Sequence, residues 1–288
     1  MNLISRVYFI TGASSGFGAA LARAVLERGD QAVLAARRLD SLERIAGPHG
    51  ARALPLRLDV IDPRSREEAV VAALEHFGRI DVLANIAGQG SLGAAEEFSD
   101  EQLREQMELN FFAATALTKA VLPTMRSQAA GHILNLTSIG GLVSVGGFSA
   151  YCASKFALEG WSEALRDEVG PLGIKVTIIE PGAFRTEFAG SKNMRPRQRI
   201  DAYRPVIEPI EAYLYGGDGK QPGDPSKAAE AMIRIVEHPD PPLRLILGED
   251  ALDLAQKKLV AVQQDIAEWK DVGQSTNFEG AETEAIPA

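Results

Sequence analysis

With a single cysteine, Cys152, in 288 residues, the chain can form neither an intrachain disulfide nor a thiolate metal cluster. His49, His76, His132 and His238 are scattered without ligand spacing, so no metal site is expected and none of the four is given chemistry. Such cysteine usage fits a reducing cytoplasm. Positive charge is also in deficit: 30 Lys and Arg against 39 Asp and Glu leave a formal net charge of −9. The basic footprint of a nucleic-acid-binding surface is missing, which leaves a small molecule as the expected partner. No apolar run approaches the ~20 residues of a membrane-spanning helix, so no membrane partner is expected. Residues 1–6 pass straight into the apolar run 7–10, with no room for a secretory signal.

What the chain does have is ample apolar material, 45% of its residues, for one large core. Short apolar runs at 7–10, 32–36, 53–58, 82–86, 132–136, 176–179 and 243–247 alternate with helical patterns near 17–28, 65–77, 99–126, 150–169 and 225–237. That alternation predicts an α/β fold of a single domain over 1–249: a doubly wound, Rossmann-type parallel sheet with helices on both faces. The stretch 184–223 breaks the rhythm with Pro196, Pro205, Pro209, Gly216, Gly217, Gly219 and Pro222. Because it also holds Tyr203, Tyr213 and Tyr215, it reads as a lid over an active site rather than as a disordered linker. Leu252, Ala255, Leu259, Val262, Ile266 and Trp269 then step by three and four. They predict a helix over about 250–272 that packs on the domain, with a subunit contact or pocket wall as the alternative. A polar, acidic tail over 273–288 is expected to fray.

A glycine-rich turn, Thr11-Gly12-Ala13-Ser14-Ser15-Gly16-Phe17-Gly18, joins the first strand to an alanine-rich helix. In that context Gly12 permits a sharp turn, while Gly16 and Gly18 let the amides of Ser14, Ser15 and Phe17 approach a pyrophosphate at the positive helix end. At the end of the second strand, where an acid would hold the ribose of NAD, the chain has Ala36, Arg37 and Arg38. NADP(H) is therefore preferred over NAD(H), with Arg37 the first phosphate partner, Arg38 the second, and Asp40 a rival ribose ligand. Asp59, followed by Val60, ends the third strand where a carboxylate can meet adenine, although Asp62-Pro63 is the better helix cap of this acidic corner.

Tyr151 and Lys155 stand four residues apart, a spacing that places both on one helix face. A free phenol has a pKa of about 10, and one positive charge at about 4 Å in an effective dielectric near 20 is worth roughly 4 kcal/mol, about three pKa units. Lys155 is thus expected to bring Tyr151 toward neutrality for proton exchange with an alcohol or nascent alkoxide. Ser138, just past a strand, can donate to the substrate oxygen, with neighbouring Thr137 as competitor. Cys152 reads as a small buried apolar residue.

Together these motifs resemble the short-chain dehydrogenase/reductase family in its shorter, single-domain branch. Thr11-Gly12-x-x-x-Gly16-x-Gly18 matches its cofactor turn, Tyr151-x-x-x-Lys155 its catalytic pair, and Ser138 stands at the usual distance before the tyrosine. Asn85-Ile86-Ala87-Gly88 is similar to the family's Asn-Asn-Ala-Gly signature, departing at Ile86, and Pro181, Gly182 and Thr186 match the segment set against the nicotinamide. The resemblance implies that Ser138, Tyr151 and Lys155 carry catalysis, that Lys155 also holds the nicotinamide ribose, and that Asn110 anchors a proton-relay water. It further implies a homo-oligomer, dimer or tetramer, through the helices at 99–126 and 150–169.

Val143, Phe148, Phe184, Phe188, Met194, Tyr203, Tyr213, Leu214 and Tyr215 suit an apolar pocket for a hydrophobic ketone, aldehyde or secondary alcohol, and the overall pattern is similar to retinol and hydroxysteroid dehydrogenase-like members. Lys192, Arg195, Arg197, Arg199 and Arg204 in the same stretch keep a ketoacyl-thioester reductase open. A non-catalytic NADP(H)-binding sensor is the reading from another class, and the intact Tyr151 and Lys155 pair speaks against it.

Overall fold

A computed structural model describes residues 5–190 and 193–281. Strands β1 (Val7–Thr11), β2 (Gln31–Ala36), β3 (Ala53–Arg57), β4 (Val82–Asn85), β5 (Gly131–Leu136), β6 (Ile174–Pro181) and β7 (Arg244–Leu247) form one parallel sheet in the order β3-β2-β1-β4-β5-β6-β7. The order reverses between β1 and β4, which opens a crevice at their carboxyl ends, where ligands bind in such sheets.

Alternation along β1 divides the core in two. Tyr8 and Ile10 face α1 (Gly16–Glu27), α2 (Leu39–Ala46) and a later helix, Pro225–Glu237, whereas Phe9 faces α3 (Pro63–Phe77) and the helices that follow it. Asp62 caps α3 by accepting from the Arg64 amide at 3.1 Å, with Pro63 at the first helical position. The eight-residue α2 was not expected; its Leu42, Ile45 and Ala46 are buried, but the helix is too short to show a period.

The long helix expected at 99–126 is three pieces. α4 (Asp100–Met107) passes through a π turn, Glu108–Phe112, into α5 (Ala113–Gln128), and the Ala113 amide bonds the Glu108 carbonyl five residues back. α6 (Ser149–Val169) buries Tyr151, Ser154, Lys155, Leu158, Glu159, Ser162, Leu165 and Val169, a helical stripe with chemistry-bearing residues in its middle.

The stretch 184–223 is more regular than its prolines suggested. It contains α7 (Arg204–Gly216), where Pro205 occupies the first turn, as its missing amide allows, and Ile207 is buried. α8 (Pro225–Glu237), capped by Asp224, packs beside α1. α9 (Glu249–Glu268) packs on the domain through its first turns. Only Ala251 and Ala255 of it are buried, and Leu259, Val262 and Ile266 are exposed, as is Trp269 beyond it. Lys192 and the tail beyond 281 lie outside the described residues.

Candidate active site

The turn between β1 and α1 is shaped by backbone that side chains cannot share. Gly12 has φ +67°, and a Cβ there would lie 3.0 Å from the Ala87 amide nitrogen; a Cβ on Gly18 would lie 2.6 Å from the Gly12 carbonyl carbon. Gly16, at φ +53°, faces Thr186, whose Cβ would be 3.4 Å from an added methyl. Thr11 fastens the second wall: its hydroxyl accepts from the Ile86 and Ala87 amides at 2.9 and 3.1 Å and reaches the Ala84 carbonyl at 3.3 Å. Ser15 begins α1 without a side-chain cap, so the first-turn amides and the helix dipole face the crevice.

At the rim, Arg38 donates to the Ser14 hydroxyl at 3.2 Å and lies 3.5 Å from Glu187. Arg37, ranked first from sequence, is exposed, and Arg38 is the arginine drawn to the turn. Asp59 accepts from the Ile61 amide at 3.3 Å, and the Val60 carbonyl accepts from Arg66 at 2.6 Å. Asn85 does not present its amide group to the crevice. Its Nδ2 donates to Thr118 and Asn135, each at 2.9 Å, in a buried ladder that continues from Asn135 to Ser162. That ladder ties the end of β4 to β5 and α5, just before Ile86–Ala87–Gly88.

The end of β5 and α6 bring the candidate catalytic side chains together. Ser138 accepts from the Gly140 amide at 3.0 Å, reaches the Pro181 carbonyl at 3.5 Å and lies close enough to the Tyr151 phenol to lower its pKa. Thr137, its competitor, is spent on the Ile179 carbonyl at 3.1 Å. Lys155 donates to the Leu136 carbonyl at 2.8 Å and lies 5.9 Å from the Tyr151 ring centre. Gly88 passes between Lys155 and Asn110: a Cβ there would be 3.6 Å from Lys155 Nζ and 3.2 Å from Asn110 Oδ1. The π turn aims Asn110 inward, where it accepts from the Gln89 amide and donates to the Gln89 carbonyl and the Ser154 hydroxyl.

This convergence agrees with comparison to known proteins. A sequence model of the family described as short chain dehydrogenase matches residues 6–197. The chain belongs to the short-chain dehydrogenase family. A short-chain dehydrogenase from Streptomyces avermitilis superposes with a TM-score of 0.90 at 42% identity, covering 96% of this chain and all of that one. The 3-ketodihydrosphingosine reductase of Bacteroides thetaiotaomicron is 37% identical over 248 residues, 84% of this chain and 88% of its own length. An alcohol dehydrogenase from Thermococcus sibiricus, solved with 5-hydroxy-NADP, has a TM-score of 0.70 at 28% identity, covering 85% and 96% of the two chains.

In this family member the electrostatics differ from the simple expectation. Burial pushes the Tyr151 phenol up, and Ser138 pulls it down by less. Lys155 is itself pushed down to about 8 by burial, against the pull of Glu159. A phenol held protonated is the form that carbonyl reduction consumes. As the proton leaves, a positive charge on Lys155, 5.9 Å from the ring centre, favours the phenolate.

Over the phenol sit Phe188, with its ring centre 5.3 Å from that of Tyr151, and Phe148 at 6.3 Å. Phe184 packs on Phe17 at 5.1 Å, and the Val143 carbonyl faces Cys152, which is buried as expected. Two predicted pocket residues do not join this cluster. Tyr203 donates to Glu96 at 2.6 Å, and Tyr213 is 76% exposed, because α7 turns it off its buried stripe. Sequence reasoning also missed Asp250 on α9, which accepts from the Ala183 amide at 2.7 Å and occupies the space beside Gly182 that a Cβ would take. No spacing signals a residue so far along the chain.

Proposed function

We propose that this oxidoreductase interconverts a hydrophobic ketone or aldehyde and its alcohol, with NADP(H) preferred over NAD(H). The observation that carries the reading is the meeting of Ser138, Tyr151 and Lys155 beneath Phe148 and Phe188, beside a turn whose glycines leave room for a dinucleotide. The residues fit such a cofactor: Gly12, Gly16 and Gly18 form the cradle, Lys155 stands at the ribose end beside Gly88, and Arg38 stands at the opposite rim. When bound, the dinucleotide supplies or removes a hydride at the substrate carbon.

In reduction, Ser138 donates a hydrogen bond to the substrate oxygen, and Tyr151 gives that oxygen its proton as negative charge builds there. Lys155 stabilises the phenolate left behind, and Asn110, held by Gln89 and Ser154, lies toward the solvent side of the relay. The name of the relative from Bacteroides supports a hydrophobic ketone.

The lid arginines give little support to an acidic thioester substrate. Arg199 is paired with Glu211, Arg204 with Asp201 and Glu208, and Arg195 lies over the Tyr215 ring. A homo-oligomer through α4–α5 and α6 belongs to the same proposal, supported by exposed Leu103, Phe112 and Phe156; so does a cytoplasmic setting, which the single cysteine favours. Among the described residues no helix is long and apolar enough to cross a membrane. The test is a panel of long-chain ketones, steroidal and retinoid carbonyls and β-ketoacyl thioesters, each followed by NADPH and NADH consumption. Turnover of a simple hydrophobic carbonyl supports the reading; turnover confined to thioesters overturns its substrate class, and none at all with tight NADPH binding leaves the sensor.

A further inference from the structure

Directly behind the catalytic group lies a charged cluster that the chemistry above does not use. Glu159 is one helical turn beyond Lys155 on the buried stripe of α6, and both are only 4% exposed. The Arg244 guanidinium, entering from β7, bridges Glu159 and fully buried Glu180 of β6, the latter at 2.6 Å, and also reaches Glu163 at the rim. The Ser138 loop rests on this cluster, since a Cβ on Gly141 would lie 2.7 Å from Glu159 Oε1. Glu159 Oε1 and Glu180 Oε2 are buried with no donor among the described residues. One proton on the pair would supply the missing donor, because a protonated carboxyl gives as well as accepts.

We infer that Glu159, with Glu180 and Arg244, is a positioning set behind the active site that governs the charge of Lys155 and seats the Ser138 loop. The groups facing Glu159 are Lys155 and Glu163 on its own helix, Glu180 from β6, Arg244 from β7 and the Thr137 hydroxyl beyond β5. Burial and then Glu180 push the Glu159 carboxyl up to about 7, while Arg244 and Thr137 oppose them. Lys155 is pushed down to about 8 by burial, with Glu159 opposing. The carboxyl pair therefore gains its negative charge just below the pH at which the lysine would lose its positive one, and that anion favours the ammonium. The consequence is a catalytic lysine kept cationic over a wider alkaline range than its burial alone allows.

The link to turnover rests on the proposed oxidoreductase reading, but the charge coupling can be read without substrate. Lysine labelled with 13C at Cε reports each ammonium titration by NMR, with Lys155→Arg assigning the signal. In Glu159→Gln the Lys155 midpoint should fall by about one pH unit or more. In Glu180→Gln, which leaves Glu159 ionised against Arg244, it should not fall. The intact protein gives a check that needs no variant: carboxyl signals of the pair should inflect near neutrality, and the Lys155 signal should show the same inflection. Where a substrate has been found, the alkaline limb of kcat/KM should shift with the lysine. An unmoved midpoint in Glu159→Gln, an equal fall in both variants, or a pair ionised throughout overturns the inference. A shifted midpoint without turnover on any carbonyl would instead count against the oxidoreductase reading alone.

Discussion

Replacing Arg38 with alanine should weaken NADPH binding and leave NADH nearly untouched. The guanidinium stands 3.2 Å from the Ser14 hydroxyl of the phosphate turn, at the end of a strand that carries no acid. A hydrogen bond to a charged group is worth about 1.5–3 kcal/mol, and the low end applies here because the side chain is 46% exposed and screened by water and salt. About 1.5 kcal/mol is roughly a tenfold rise in the NADPH dissociation constant. Glu187, 3.5 Å away, competes for the same guanidinium and repels a nearby phosphate, so Glu187→Gln should tighten NADPH binding by a few fold. Fluorescence titration with both cofactors at low and high salt measures these changes, and the Arg38 effect should shrink as salt rises. Arg37→Ala, measured in parallel, should lose less, because the hydrogen bond to the turn is made by Arg38. Equal losses for NADPH and NADH in Arg38→Ala, or a larger loss in Arg37→Ala, would refute the assignment.

Gly18→Ala forces a methyl against the Gly12 backbone and should cost about 1–3 kcal/mol in urea unfolding as well as dinucleotide affinity. Gly160→Ala, on α6 with nothing within 4 Å, should instead gain about 0.5–1 kcal/mol, and equal effects of the two would undo the steric argument. Burial pushes His132 down to about 3, so it stays neutral in the fold while the unfolded chain takes up a proton below about 6.5. Its contribution is thus present above pH 6.5 and lost as pH falls: about 2 kcal/mol between pH 7 and 5, a loss that His132→Gln should remove from urea midpoints. Asp250→Ala frees the Ala183 amide and should weaken dinucleotide binding more than it lowers the melting temperature; a pure stability loss would make Asp250 only structural.

Much of this architecture was legible because local chemistry announces it. Seven apolar runs became seven strands, and the spacing of Tyr151 and Lys155 survived as one face of α6. What stayed hidden depends on partners distant in sequence or on geometry without a period. The π turn at Glu108–Phe112 adds one residue to a helix and leaves no mark in hydropathy, yet it is what turns Asn110 inward. Glu159 drew no reading from the sequence, because its partner Arg244 is 85 residues away. α7 was concealed by Pro205 and Pro209, although the first of these belongs in an opening turn. The docking expected of α9 is confined to its first turns for a different reason. Its apolar stripe is real, but an amphipathic pattern records only that a face prefers burial, and within this chain only Ala251 and Ala255 are covered.

The most direct measurement compares the intact protein with Tyr151→Phe in two assays on one sample: NADPH binding by fluorescence, and single-turnover reduction of the best carbonyl from the panel. In the proposed mechanism the phenol donates the proton, while its ring alone packs against Phe188 and Phe148. The variant should therefore bind NADPH within a few fold of normal and slow reduction by about 10²–10⁴-fold. Reduction at an undiminished rate with NADPH bound would contradict the account, because the proton would then come from elsewhere.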